Sequence, residues 1–94
     1  MKLTFRFFGT LKEAIGSRQI DMEVRSQRTL VRDIPSLLVA EYGTRISILL
    51  KSKDDSFDSF RILINGQDQT ALEGMDTKLK DGDIIILLPP LSGG

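Results

Sequence analysis

Hydrophobic and polar residues alternate strictly at two places near the start of the chain. The hydrophobic positions are Leu3, Phe5 and Phe7 in the first stretch, and Ile20, Met22 and Val24 in the second. A period of two is the side-chain period of a β-strand, so each stretch predicts a strand with one face in the core. The two strands are close enough in sequence to pair with each other.

The segment between these strands, GTLKEAIGS, has the pattern of a short helix. Thr10 is a candidate N-cap with Glu13 three residues later, and Gly16 stands where a left-handed residue would end the helix. We expect one or two helical turns here.

A longer helix is predicted between residues 29 and 43. The apolar residues Leu30, Ile34, Leu37, Leu38 and Tyr42 have the spacing of one helical face, and Gly43 follows as a stop signal. Pro35 would remove a hydrogen bond if the helix began at Thr29. We therefore expect either a kink at Pro35 or a helix that effectively starts at Asp33.

The second half of the chain predicts three further strands. FRILINGQDQT contains Asn65-Gly66, a strong signal for a two-residue hairpin, and residues 84–88 (IIILL) are apolar in both phases, as in a strand covered on both sides. The turn-rich segment between them offers three apolar anchors: Leu72, Met75 and Leu79. Residues 44–59 are ambiguous, because ISILL could pack on the core whereas KSKDDSFDS is typical of a solvated loop.

In chain order the predicted elements are β-β-α-β-β-β. This is an α+β fold, a mixed sheet of about five strands with one main helix packed on one face. Because the first and last strands are the most continuously apolar, we place them as parallel neighbours at the sheet centre. That is the ubiquitin-like β-grasp arrangement, with the domain over residues 1–88 and an extended tail over residues 89–94.

Composition excludes several classes of function. The 94 residues carry 13 basic and 13 acidic side chains, so no net field would attract nucleic acid or an anionic membrane. Cysteine and histidine are both absent, which removes thiol chemistry, an imidazole base and a Cys/His metal site. No apolar run is long enough for a signal peptide or a membrane span. We expect a cytoplasmic protein that is not an enzyme.

Two charged clusters have simple structural interpretations. Asp81-Gly82-Asp83 offers only two carboxylates, so a tight turn into the last strand is favoured over a metal site. A basic cluster lies before and within the start of the main helix and is formed by Arg25, Arg28 and Arg32. A solvated face is the favoured interpretation of this cluster over a docking patch.

The end of the chain, LLPPLSGG, carries the chemistry. Pro89 and Pro90 lack backbone donors and fix φ, so strand pairing should stop at Leu88 and the chain should leave extended. Six residues at ~3.3 Å each reach about 20 Å, roughly the depth of an enzyme cleft. Gly93 and Gly94 could thread a narrow channel, with the Gly94 carboxylate in front.

A carboxylate can attack the α-phosphate of ATP, and a sulfur donor or an amine can then displace AMP. This chain could catalyse neither step, so we expect no bound cofactor and an adenylating partner that uses the ATP.

The sequence DGDIIILLPPLSGG, together with RILINGQDQTALEGMDTKLK and KLTFRFFGTLKEAIG, resembles the MoaD family, the small sulfur-carrier subunits of molybdopterin synthase, and their archaeal ubiquitin-like relatives. The resemblance implies adenylation of Gly94 by a ubiquitin-activating-type, MoeB-like enzyme. It then implies conversion to a thiocarboxylate and insertion into the MoaE-like large subunit of the synthase. By position, the inserted tail would be Pro89, Pro90, Leu91, Ser92 and Gly93. Leu91 stands where a valine is common in the family.

Three functions are compatible with this tail. The first is a sulfur carrier in molybdenum-cofactor biosynthesis, the second is a modifier joined through Gly94 to lysines of other proteins, and the third is an interaction module with an inert tail. We also expect Phe8 and Leu87 to lie on an exposed apolar sheet face that docks the partner enzyme, unless a loop covers that face.

Overall fold

The computed structural model describes residues 1–26, 28–44, 46 and 61–88. These residues form five strands: β1 (Lys2–Phe7), β2 (Gln19–Glu23), β3 (Arg61–Ile64), β4 (Gln67–Asp68) and β5 (Ile84–Leu88). They also include the helices α1 (Gly9–Ile15) and α2 (Ile34–Tyr42). Short 3-10 turns lie at Val31–Asp33, Gln69–Ala71 and Gly74–Asp76.

The strands form one mixed sheet in the order β2-β1-β5-β3-β4. β1 and β5 are parallel neighbours, and the other pairs are antiparallel. The predicted β-grasp arrangement is confirmed, with β5 as the central strand. Ile85, Ile86 and Leu87 of β5 therefore have a paired strand on each side, which fixes the direction in which the chain leaves the domain.

One face of the sheet packs on the helices. Burial alternates along β1 and β5 with the strand period, as the sequence pattern of β1 predicts. The fully buried side chains include Leu3, Phe5, Phe7, Ile62, Ile85 and Leu87 from the sheet and Leu11, Ile34 and Leu38 from the helices. Each such side chain contributes about 1.5–3 kcal/mol when it leaves water, so this layer holds the domain together.

The helix α1 begins two residues earlier than predicted. Its N-cap is Phe8, which is extended and makes no side-chain capping bond, so the prediction of Thr10 as N-cap is wrong. The chain turns out of β1 at Gly9, whose φ of 60° a residue with a side chain rarely adopts. Gly16 ends the helix with φ 85°, as predicted, and its N–H donates to the Lys12 carbonyl at 2.9 Å.

The helix α2 resolves the question raised by Pro35. A 3-10 turn at Val31–Asp33 comes first, and the Asp33 carboxylate accepts a hydrogen bond from the Leu30 N–H at 2.9 Å. The α-helix then starts at Ile34, with Pro35 in its first turn, where no helical donor is required. The second alternative is therefore confirmed. The helix ends at Tyr42, before Gly43 with φ 92°.

The hairpin between β3 and β4 has the predicted two-residue turn. Asn65 and Gly66 both have positive φ, 52° and 88°, as a type I′ turn requires. Of the three predicted anchors that follow, Leu79 is buried and Met75 packs against the core. Leu72 is 37% exposed, so that prediction is wrong: Leu72 follows the 3-10 turn at Gln69–Ala71, and its N–H closes that turn on the Gln69 carbonyl.

Residues 44–59 fall mostly outside the described part of the chain. Ile46 is buried in the core, in agreement with packing of the ISILL stretch at that residue. Among the described residues, no helix is both long and apolar enough to cross a membrane.

Candidate functional site

The candidate site lies where β5 ends and the tail begins. Leu87 pairs with Phe7 on one side and Ile62 on the other, and Leu88 pairs with Arg61. The six predicted tail residues, Pro89, Pro90, Leu91, Ser92, Gly93 and Gly94, lie outside the described residues, so their roles stay predictions. The structure does define the surface from which this tail leaves.

The two faces of β5 differ in burial. Ile85 and Leu87 are completely buried, whereas Ile84, Ile86 and Leu88 are half-buried. The expectation that Leu87 lies on the exposed sheet face is therefore wrong. Leu87 pairs with two other core residues and faces the helices. Because all five residues of β5 are apolar, the sequence pattern did not show which phase faces the core.

Phe8 lies on the other side of the sheet and is 45% exposed, as predicted. It continues the phase of Thr4 and Arg6, whereas Phe5 and Phe7 point into the core. We call this side the open face. It carries Thr4, Arg6 and Phe8 at β1, Ile84, Ile86 and Leu88 on β5, and Arg61 and Leu63 on β3. In the described part of the chain, the buried helix residues pack on the opposite face.

Charged side chains surround the apolar centre of the open face. Arg61 pairs with Asp68 at 3.2 Å, and Lys2 pairs with Asp21 at 3.7 Å. Arg6 makes a different contact, because its Nε donates to the neutral Gln19 amide oxygen at 3.1 Å. Arg6, Phe8, Arg18 and Gln19, with Phe7, line an open recess beside the end of β1.

Sequence reasoning missed Arg6 and Arg18. Arg6 was visible as a polar position of β1, but Arg18 belongs to the loop before β2. They come together only through the register of the two strands, in which Arg6 pairs with Gln19 and the Phe7 N–H donates to the Arg18 carbonyl at 2.9 Å. No short-range sequence pattern carries that information.

Residues Asp81, Gly82 and Asp83 form a turn, as predicted. Gly82 has φ 86°, and Asp81 accepts a hydrogen bond from the Lys2 N–H at 2.6 Å. Asp83 accepts from the Lys80 N–H at 2.7 Å. The described residues contain no group of three or more acidic side chains that could hold a metal ion.

The three arginines near the main helix do not act as one patch. Arg32 forms an ion pair with Asp76, which joins the turn before α2 to the segment before β5. Arg25 and Arg28 are exposed. This arrangement agrees with the predicted solvated face.

The fold and sequence resemble those of small ubiquitin-like proteins. The chain is 35% identical to small archaeal modifier protein 3 of Haloferax volcanii, with all of both chains covered. It is 26% identical to a proposed sulfur carrier protein of Archaeoglobus fulgidus over 76 residues, covering 81% of this chain and 86% of the other. The crystal structure of small archaeal modifier protein 1 from Haloferax volcanii superposes with a TM-score of 0.81 at 25% identity and full coverage of both chains.

A family model also matches residues 5–94, which include the tail and all of the sheet except residues 2–4 of β1. Its description is the ThiS family. Small proteins of this ubiquitin-like type are non-catalytic carriers or modifiers, which agrees with the absence of histidine and cysteine from the sequence. The chain therefore belongs to the ThiS family.

Proposed function

We propose that this protein is a sulfur carrier that bears a thiocarboxylate on Gly94 and donates its sulfur in molybdopterin biosynthesis. The observation that carries the proposal is the extent of the family match, which continues beyond Leu88 through the tail to residue 94. The proposal takes Gly94 as the carboxyl-terminal residue of the active form. In this proposal the domain presents the tail to its partners, and the Gly94 carboxylate at the end of the tail is the reactive group.

The chemistry has two steps. A Gly94 carboxylate oxygen attacks the α-phosphate of ATP, pyrophosphate leaves, and an acyl-adenylate forms. Hydrosulfide then attacks the carbonyl carbon and AMP leaves, which yields the thiocarboxylate. A persulfide donor would instead give an acyl disulfide, whose S–S bond a thiol must then reduce to release the thiocarboxylate. The sequence contains no cysteine to supply the sulfur and no histidine to move protons. A ubiquitin-activating-type, MoeB-like enzyme therefore performs activation, and ATP binds to that enzyme.

The more specific part of the proposal is the molecule that accepts the sulfur. The likeness of DGDIIILLPPLSGG to the MoaD family supports insertion of the tail into a MoaE-like large subunit. There the thiocarboxylate sulfur would transfer to the pterin precursor. Pro89 and Pro90 support this role physically, since they keep the tail from pairing with a strand.

Conjugation to lysine is a second candidate function. The observation that favours it is the 35% identity over the full length to small archaeal modifier protein 3. The first step is the same, but a lysine amine, instead of a sulfur nucleophile, then displaces AMP. The product is an isopeptide bond between Gly94 and the target protein.

One experiment tests activation, and a second separates the two products. Purified protein is incubated with the adenylating enzyme of the same organism and ATP, and pyrophosphate release is measured. Absence of release would exclude both functions. Intact-mass measurement of protein from the native source then detects replacement of one oxygen by sulfur.

Conjugates to lysine are detected as branched tryptic peptides, and the length of the branch depends on this sequence. Lys80 is the last Lys or Arg before the tail, so trypsin leaves residues 81–94 as the branch on a modified lysine. We expect mainly free thiocarboxylate. Abundant branched peptides without thiocarboxylate would favour the modifier instead.

A further inference from the structure

Arg6 and Arg18 form a basic pair without a carboxylate partner among the described residues. The other cations near the open face, Lys2 and Arg61, are each paired with an aspartate. Within the described part of the chain, the Arg6 side chain hydrogen-bonds through Nε to a neutral amide, and its terminal nitrogens contact no carboxylate there. Arg18 is exposed in the loop before β2.

This pair is continuous with the apolar part of the open face. Arg6 lies opposite Ile86 in the β1–β5 register, and Ile86 lies opposite Leu63 on β3. Phe8 lines the same recess as the two arginines and is 45% exposed. Two cations therefore border an accessible apolar surface at the root of the tail.

We propose that the recess of Arg6 and Arg18 binds a carboxylate side chain of the enzyme that activates Gly94, while Phe8 and Ile86 pack on apolar side chains beside it. This inference rests on the proposed function. A guanidinium binds a carboxylate through strong charge-assisted hydrogen bonds, often two at once. An interface with an apolar centre and a charged rim fits a protein partner.

Two other occupants fit the surface less well. A nucleic acid would require a broad positive field, but the sequence has a net charge of zero and the neighbouring cations are already paired. A second copy docked face to face through this surface would have to bring an unpaired carboxylate, yet Asp21 and Asp68 at this surface are both in ion pairs. An acidic segment of another protein is the best complement.

The test is a charge reversal at both arginines with a matched control. Arg6→Glu/Arg18→Glu is compared with Arg25→Glu/Arg28→Glu, which changes the charge equally at two exposed arginines away from the recess. Pyrophosphate release is measured against the concentration of each carrier variant. We expect KM for the carrier to rise at least about 10-fold in the first variant, with kcat nearly unchanged, because charge-assisted hydrogen bonds of docking are lost. The control should show little change.

Salt and ATP provide two further readouts. Added NaCl should raise KM for the unmodified carrier more than for the charge-reversed variant, since the variant has already lost the screened attraction. KM for ATP should be unaffected. A rise in KM for ATP would instead assign the recess to nucleotide phosphate and overturn the inference.

The outcomes separate this inference from the proposed function. If the unmodified carrier is activated and the two double variants behave alike, only the inference is wrong. If the unmodified carrier releases no pyrophosphate, both fail. Should Arg6→Glu/Arg18→Glu fail to fold by its urea-unfolding curve, Arg6→Gln/Arg18→Gln decides, because it removes the charge and keeps a polar side chain. An unchanged KM in that variant would contradict the inference.

Discussion

The side-chain amide of Asn65 joins the β3–β4 turn to the start of the central strand, because its Nδ2 donates a hydrogen bond to Oδ1 of Asp83 at 2.9 Å. The Oδ1 of the same amide accepts from the Ile84 N–H at 2.9 Å. The Asn65 N–H also donates to the Ile84 carbonyl at 2.8 Å. One residue thus fixes both the hairpin turn and the point where β5 begins.

Replacement of Asn65 should destabilise the fold in two separable ways. Asn65→Ala removes both side-chain hydrogen bonds beside Asp83, which is only 7% exposed. It also places alanine at φ 52°, a conformation that alanine tolerates less well than asparagine. We expect a loss of about 2–4 kcal/mol in the free energy of unfolding. Asn65→Gly should recover about 1 kcal/mol of this loss, because glycine adopts positive φ without strain. Urea unfolding of the three proteins measures both values, and equal stability of all three would contradict the role given to this amide.

The phase of the sheet predicts unequal losses of stability at two neighbouring hydrophobic sites. Leu87→Ala empties a completely buried position and should cost about 2–5 kcal/mol. Phe8→Ala changes a side chain that is already 45% exposed and should cost at most about 1 kcal/mol. Chemical denaturation gives the comparison directly. A larger loss at Phe8 than at Leu87 would reverse the assignment of the two faces.

The elements that the sequence predicted correctly depend on local patterns. Alternation placed β1 and β2, and the Asn65-Gly66 pair placed the hairpin. Pro35 limited the main helix to two alternatives, a kink or a start at Asp33, of which the structure has the second. In each case, a few adjacent residues restrict the backbone to one or two solutions. The central position of β1 and β5 was also predicted, because the most continuously apolar strands belong at the centre of a sheet.

The predictions that failed concern features that the residue pattern leaves undecided. Leu87 was assigned to the wrong face because an entirely apolar strand has no polar phase to identify its solvent side. Thr10 had the right residue type for an N-cap, but the turn at Gly9 starts the helix before it. Arg6 and Arg18 were missed because strand register, not sequence spacing, makes them neighbours.

Tyr42 makes the free energy of unfolding depend on pH in the alkaline range. Burial and, to a lesser extent, the nearby Glu41 carboxylate raise the pKa of the Tyr42 phenol above its ordinary value of 10.0. The unfolded chain therefore loses this proton at lower pH than the folded protein, and the free energy of unfolding falls as pH rises above that ordinary value. Tyr42→Phe should show a smaller fall over the same pH range, and Glu41→Gln should lie between the two. Urea unfolding at several pH values tests this, and parallel curves for all three proteins would contradict it.

The tail should respond to bulk at Gly93 without any effect on the fold. The sequence predicts an extended exit after Pro89-Pro90, and an extended segment buries little of its own surface. If the tail threads a narrow channel to the adenylating site, Gly93→Val would displace the carboxylate of Gly94 from the α-phosphate. A misplacement of about 1 Å can slow a reaction on the order of 100-fold. We therefore expect pyrophosphate release to fall by at least that factor, while the urea midpoint stays unchanged. Ser92→Ala, a change to a smaller side chain in the same segment, is the matched control and should retain activity. Full activity of Gly93→Val would show that the activating enzyme does not require a bare glycine at this position.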